Sequence, residues 1–151
     1  MKVFVTVGTT VFDSMIKAAD KCAGVLKDYQ FTFQIANSKN YKPDNGLSFD
    51  FLDNIEDYYA NSDVIITHAG AGTFYKLLEM HKKIIVVPNL ERRDKHQADI
   101  ARFAEENKYA LVVWELDGLL AALRLVENFQ PNVFKKEHFF KAEEIAAFIL
   151  S

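Results

Sequence analysis

Three clusters of residues in this chain have the types and spacing to do chemistry. The first is Thr67-His68-Ala69-Gly70-Ala71-Gly72-Thr73. It follows the apolar run Val64-Ile65-Ile66 and precedes Phe74-Tyr75-Lys76-Leu77-Leu78-Glu79-Met80, whose apolar residues recur at helical spacing. A strand, a glycine turn and a helix in that order aim unpaired backbone N–H groups and the positive end of a helix dipole at one spot. Such a spot suits a phosphate or diphosphate. Gly70 and Gly72 would let a ligand approach the backbone and would permit positive φ. Thr73 adds a hydroxyl donor, and His68 either donates to a phosphate or orients the turn. The alternative reading is a glycine-rich left-handed turn that holds no ligand.

The second cluster, Gly8-Thr9-Thr10, lies at another strand–glycine–helix junction and reads as a second wall of the same site, with Thr10 or Asp13 as helix N-cap. The third is the polar loop carrying Asn89, Glu91, Asp94, His96 and Gln97, after a strand that Pro88 ends. Amides and carboxylates there can donate to and accept from sugar hydroxyls. The other reading is a solvated loop in which Asp94 caps the next helix. A dinucleotide fingerprint is a further alternative. Gly70 and Gly72 fit it, and Glu91 lies about twenty residues on, but the third glycine position is Tyr75. No Gly-Lys-Ser/Thr follows the turn, so a P-loop is excluded. His68 and His96 lack metal-site spacing, and no serine–histidine–acid arrangement is legible.

The elements that must position these clusters alternate. Strands are expected at residues 3–7, 31–35, 47–52, 63–67, 84–88 and 110–114. Helices are expected at 12–26, 55–60 (capped by Asp53 or Asn54), 74–80, 97–107, 116–126 and 137–150. This pattern predicts an α/β fold: a single Rossmann-like parallel sheet with helices on both faces. In such sheets ligands bind along the edge formed by the carboxyl ends of the strands, where all three clusters would meet.

Composition narrows the function classes. The chain has 151 residues, half of them hydrophobic, which predicts one domain with a full core over 1–151. A formal charge of −3 argues against a general nucleic-acid binder. The single cysteine, Cys22, excludes an internal disulfide framework and reads as a core residue. The N-terminus does not read as a signal peptide. No apolar run approaches the ~20 residues that span a bilayer, so a cytoplasmic location is expected.

The turn at 68–73, the loop Asp94-Lys95-His96-Gln97 and the opening Phe4-Val5-Thr6-Val7-Gly8-Thr9-Thr10 together resemble the C-terminal, donor-binding lobe of glycosyltransferase family 28. The similarity runs in matching order from residue 1 to about residue 125. It is strongest to short stand-alone versions of that lobe: the small soluble subunit of the dolichol-linked N-acetylglucosaminyltransferase and its bacterial counterparts in capsule and exopolysaccharide synthesis. The resemblance implies half of a GT-B enzyme. His68, Gly70, Ala71, Gly72 and Thr73 would receive the diphosphate of a UDP-sugar, with Gly8, Thr9 and Thr10 facing the same cleft. Asp94, His96 and Gln97 would lie beside the donor sugar. No metal or other cofactor is implied if backbone N–H groups and the helix dipole offset the diphosphate's charge.

Two positions depart from the family pattern. The glutamate that holds the ribose hydroxyls in the family is Lys76 here, and an ammonium accepts no hydrogen bond. Glu79 lies one turn on, ~5.4 Å away, as a weak substitute. The family's Gly-Lys-Pro before the fifth strand is His81-Lys82-Lys83, which removes a glycine C-cap at a cost of up to ~1 kcal/mol. The resemblance also implies a membrane-anchored partner that carries the acceptor lobe and the catalytic base, with membrane association through that partner. The phenylalanines at 134, 139, 140 and 148 are the candidate docking surface, with a helix packed back on the sheet as the other reading. A non-catalytic nucleotide-sugar-binding or regulatory subunit is the functional alternative that Lys76 favours.

Overall fold

A computed structural model describes residues 1–91 and 96–135. Asp94, which falls between them, and the helix expected at 137–150, with Phe139, Phe140 and Phe148, lie outside the described residues.

Six strands form one parallel sheet: β1 (Lys2–Thr6), β2 (Gln30–Gln34), β3 (Leu47–Phe49), β4 (Val64–His68), β5 (Lys83–Val87) and β6 (Leu111–Val112). Their spatial order is β3-β2-β1-β4-β5-β6. The chain winds outward from β1 in one direction and then, starting at β4, in the other. A crevice therefore opens between the carboxyl ends of β1 and β4. Register aligns those ends: Thr6 lies opposite Gln34 on one side and Thr67 on the other, and His68 lies opposite Val87.

The central strands read as nearly continuous apolar runs because both faces are covered. On one face α1 (Asp13–Val25) and α5 (Leu119–Val126) pack Met15, Ile16, Ala19, Leu119 and Leu123 against Val3, Val5, Ile66 and Ile85. On the other, α2 (Ile55–Asn61), α3 (Ala71–Glu79) and α4 (His96–Glu106) pack Tyr59, Phe74, Leu77, Ile100 and Ala101 against Phe4, Ile65, Ile84 and Val86. Cys22 is buried on the inner face of α1, as its place in the apolar stripe requires. No helix among the described residues is long and apolar enough to cross a membrane.

Several local expectations change. The N-cap of α1 is Phe12, with no side-chain hydrogen bond, so neither Thr10 nor Asp13 caps the helix. Asp13 sits in the first turn and instead accepts from Ser38 Oγ at 2.6 Å, because the loop after β2 folds against it. Asn54 is the N-cap position of α2, also without a side-chain bond. The helix expected over 116–126 splits into a 3-10 turn, Leu116–Gly118, and α5. The glycine-free end of α3 does adopt the left-handed cap: His81 has φ 56°, with hydrogen bonds from His81 N–H to Leu78 and from Lys82 N–H to Leu77. The end of α4 repeats it, with Lys108 at φ 55° and bonds Lys108–Glu105 and Tyr109–Ala104.

Phe134 is 4% exposed, packed edge-on between the rings of Tyr75 and Tyr109. Burial in the α3–α4 layer gives it a core role and removes it from the candidate docking surface.

Candidate functional site

The crevice is floored by polar side chains that the core does not need. Thr6, Gln34, Thr67, Asn89 and Gln97 are all buried at the carboxyl ends of the strands. Burial of such groups is costly unless each is hydrogen-bonded, and the bonds they make hold the three loops in place. Gln34 Oε1 accepts from Thr6 Oγ1 at 2.5 Å and from the Gly8 N–H at 3.1 Å; its Nε2 donates to the carbonyls of Gly8 at 2.9 Å and Asp50 at 2.8 Å. One amide thus fixes the turn after β1 and the loop after β3. Gln97 Oε1 accepts from the N–H groups of Ala69 at 3.2 Å and Asn89 at 2.8 Å, joining the turn after β4 to the loop after β5.

That bonding bears on Gln97 as a sugar contact. Its carbonyl oxygen is committed to backbone, so a contact to a sugar has to come from its amide nitrogen. His96, at the start of α4, is exposed. Asn89 Oδ1 accepts from Glu91 N–H, and Glu91 accepts from Ser14 Oγ on α1 at 2.8 Å, which ties the loop across the edge of the sheet.

The glycines divide their roles differently from the sequence expectation. Positive φ occurs at Gly8, at 69°, whereas Gly70 is extended at φ −76° and Gly72 lies inside α3. A Cβ on Gly8 would come 2.9 Å from His68 Cε1, and one on Gly70 would run into His68 Nε2. Both glycines therefore clear a slot for the imidazole, which joins the first turn to the second. His68 Nδ1 lies 3.3 Å from Thr67 Oγ1. Gly72 is different: a Cβ there would meet nothing within 4 Å. It is the glycine beside open space.

α3 starts at Ala71, three residues earlier than its apolar spacing suggests, with Gly70 as N-cap and no side-chain cap. Its first internal hydrogen bond runs from Phe74 N–H to the Gly70 carbonyl at 3.0 Å. The amides of Ala71, Gly72 and Thr73 thus precede the helix's own ladder, which is the arrangement that binds anions. Thr73 is partly buried, and its hydroxyl and that of Thr6 interact with the Tyr59 hydroxyl from α2. Burial pushes the Tyr59 phenol up, with those two hydroxyls acting against it. Thr9 and Thr10 are exposed at the tip of the first turn.

Lys76 points to α2, where its Nζ lies 2.8 Å from Glu56 Oε1. The hydrogen bond to Glu56 raises its pKa above the ordinary lysine value. Glu79 ends α3, ~12 Å along the helix axis from Ala71.

The profile of the glycosyltransferase family 28 C-terminal domain matches residues 2–148. The chain belongs to this family. Among its curated relatives, the UDP-N-acetylglucosamine--N-acetylmuramyl-(pentapeptide) pyrophosphoryl-undecaprenol N-acetylglucosamine transferase of Thermosipho melanesiensis is 31% identical over 140 residues. That match covers 87% of this chain and 42% of the relative. The UDP-N-acetylglucosamine transferase subunit ALG13 of Mus musculus is 30% identical over 112 residues, covering 67% of this chain and 10% of that protein. The chain thus spans less than half the length of either relative. Among solved structures, the solution structure of ALG13 aligns with a TM-score of 0.68 at 22% identity, covering 99% of this chain and 97% of the other. The kitacinnamycin glycotransferase aligns at 0.66 and 18%, over 99% of this chain and 38% of the other. These likenesses agree with the fold expected from the sequence, the C-terminal lobe of a GT-B glycosyltransferase.

Three contributors escaped the sequence reading: Gln34, Tyr59 and Glu56. For Gln34 a signal existed. In a strand covered on both faces, a polar residue at the carboxyl end must be buried and must find partners. Tyr59 and Glu56 gave no signal, because their roles depend on how α2 lies against α3.

Proposed function

We propose that this chain is the UDP-sugar-binding subunit of a two-component glycosyltransferase. It would transfer a hexose or N-acetylhexosamine to a lipid-linked acceptor in polysaccharide or glycan biosynthesis. The observation that carries the reading is the uncapped first turn of α3 at the switch point of the sheet, with open space over Gly72, in a chain of this family. The diphosphate lies on the amides of Ala71, Gly72 and Thr73, where helix dipole and N–H groups stabilise the charge that develops on the leaving group. No metal is needed for that task. Gly8, Thr9 and Thr10 form the opposite wall, with His68 between the two. The loop carrying Asp94, His96 and Gln97 meets the donor sugar.

A hydroxyl nucleophile needs a base to take its proton, and the acceptor lobe supplies it. That lobe belongs to a membrane-anchored partner, which brings this chain to the cytoplasmic face of the membrane. The names of the relatives, transferases that use UDP-N-acetylglucosamine and a transferase subunit, support the donor class and the shared labour. A non-catalytic nucleotide-sugar-binding subunit is the second reading, favoured by the cation at Lys76.

Thermal unfolding with UDP and a panel of UDP-sugars tests the donor site. A ligand at ~100 times its dissociation constant adds about 2.7 kcal/mol of stability, and Gly72→Trp should abolish that gain while the protein stays folded. A nucleotide shift that survives the tryptophan would refute the placement. Sugar transfer by the chain together with its partner separates the enzyme from the regulatory subunit, and full activity of the chain by itself would overturn the two-component reading.

A further inference from the structure

The Glu56–Lys76 ion pair takes no part in the core: the two side chains are 65% and 44% exposed. Its position is informative. Glu56 is in the first turn of α2, which leaves the carboxyl edge of the sheet through the loop after β3. Lys76 follows Gly72 by four residues, so it lies on the same face of α3, ~6 Å further along the axis. Tyr59, one turn after Glu56, meets Thr73, one turn before Lys76. Two side-chain contacts, Glu56–Lys76 and Tyr59–Thr73, therefore join α2 to the side of α3 that follows the open amides, and the backbone of Lys76 lies about one helical turn beyond Thr73.

That offset matches a nucleotide. With its phosphates on the amides of Ala71–Thr73, a nucleoside diphosphate holds its ribose hydroxyls one sugar ring from the α-phosphate. A vicinal diol presents two O–H donors. A lysine ammonium can only donate, whereas a carboxylate has about four acceptor positions, and the contact to Lys76 uses Oε1. We infer that Glu56 is the residue that reads the ribose hydroxyls of the bound nucleotide, with Lys76 holding its carboxylate in position. This inference rests on the nucleotide reading proposed above.

Calorimetric titration of the full chain with UDP and with 2′-deoxy-UDP tests it through a ratio of affinities, which a purely structural role for the pair would not move. The wild type should prefer UDP roughly ten- to hundredfold, the value of hydrogen bonds to a charged acceptor. In Glu56→Gln the ratio should collapse to within about threefold while 2′-deoxy-UDP binds as before, and Glu56→Asp should restore part of it. A wild-type ratio near one, or an undiminished ratio in Glu56→Gln, would overturn the inference and leave the donor reading standing. Failure of the wild type to bind either nucleotide would overturn both.

Discussion

Gly72 separates stability from binding in a single methyl group. A Cβ at this position meets nothing within 4 Å, and the residue already has helical backbone. Gly72→Ala should therefore stabilise the unliganded protein by about 0.5–1 kcal/mol, through reduced unfolded-chain entropy and better helix propensity. For a chain of 151 residues, an unfolding entropy near 2.1 cal/mol/K per residue gives about 0.3 kcal/mol per degree, so Tm should rise by about 2–3 °C. With nucleotide the sign reverses. Wild type at ~100 times the dissociation constant of UDP should gain about 2.7 kcal/mol, or ~9 °C. A methyl that holds the diphosphate off the amides should cost at least about tenfold in affinity, which removes about 1.4 kcal/mol of that gain. Gly70→Ala is the control. Its Cβ runs into the His68 ring, so it should destabilise the unliganded protein by about 1–3 kcal/mol. Differential scanning calorimetry with and without UDP reads all of this. A Gly72→Ala variant that melts below wild type, or one that keeps the full nucleotide shift, would refute the reasoning.

Further outcomes follow from the same geometry. Replacing Gln34 with leucine takes the side-chain donor from the Gly8 and Asp50 carbonyls and one partner each from the Thr6 hydroxyl and the Gly8 N–H, and urea unfolding should show a loss of about 2–4 kcal/mol. His81→Gly and Lys108→Gly relieve left-handed backbone at two helix ends and should each add up to ~1 kcal/mol, additively because the sites are separate; destabilisation by either would contradict the cap assignment. The buried carboxylate of Asp20 gives a pH signature. Burial raises its pKa, but the bonds from Tyr41 and from the Asp44 and Asn45 segment outweigh that and hold it below the ordinary value. The hydrogen bond to Asp20, with burial, pushes Tyr41 up to about 12. A depressed carboxylate contributes stability above its unfolded value that is lost as pH falls through the folded one. A raised phenol contributes below its unfolded value of 10.0 and loses it as pH rises towards about 12. The urea midpoint should thus fall at both extremes, and Tyr41→Phe should flatten the alkaline limb.

Periodicity made the fold legible because each strand and helix buries a whole face, and burial writes itself into residue type. Thus 64–66 and 84–87 read as strands and 15–23 as a helical stripe without ambiguity. The glycine turn was legible as a junction, but the division of labour within it was not. Gly70 and Gly72 look alike in sequence, yet one clears an imidazole and the other faces open space. What distinguishes them is the path of β4 relative to β1, a tertiary fact. Gln97 was legible as a site residue for its polarity; that its carbonyl is committed to the backbone of two loops follows from α4 starting where β4 and β5 end. Glu56 was illegible because a carboxylate in a first helical turn is explained by the helix dipole alone.

The pairing of β1 with β4 has a consequence for how the molecule comes into being. Val3 pairs with Val64 and Thr6 with Thr67, so closing this pair means looping out some sixty residues, a closure whose entropy must be met before any contact across it contributes. Local units such as β1-α1-β2 can collapse earlier, but the crevice belongs to neither half of the chain. It comes into existence when the two halves zip along β1 and β4. Nucleotide affinity should therefore arise no earlier than the closure of this pair, making ligand capture during refolding a clock for that closure rather than for the formation of helices.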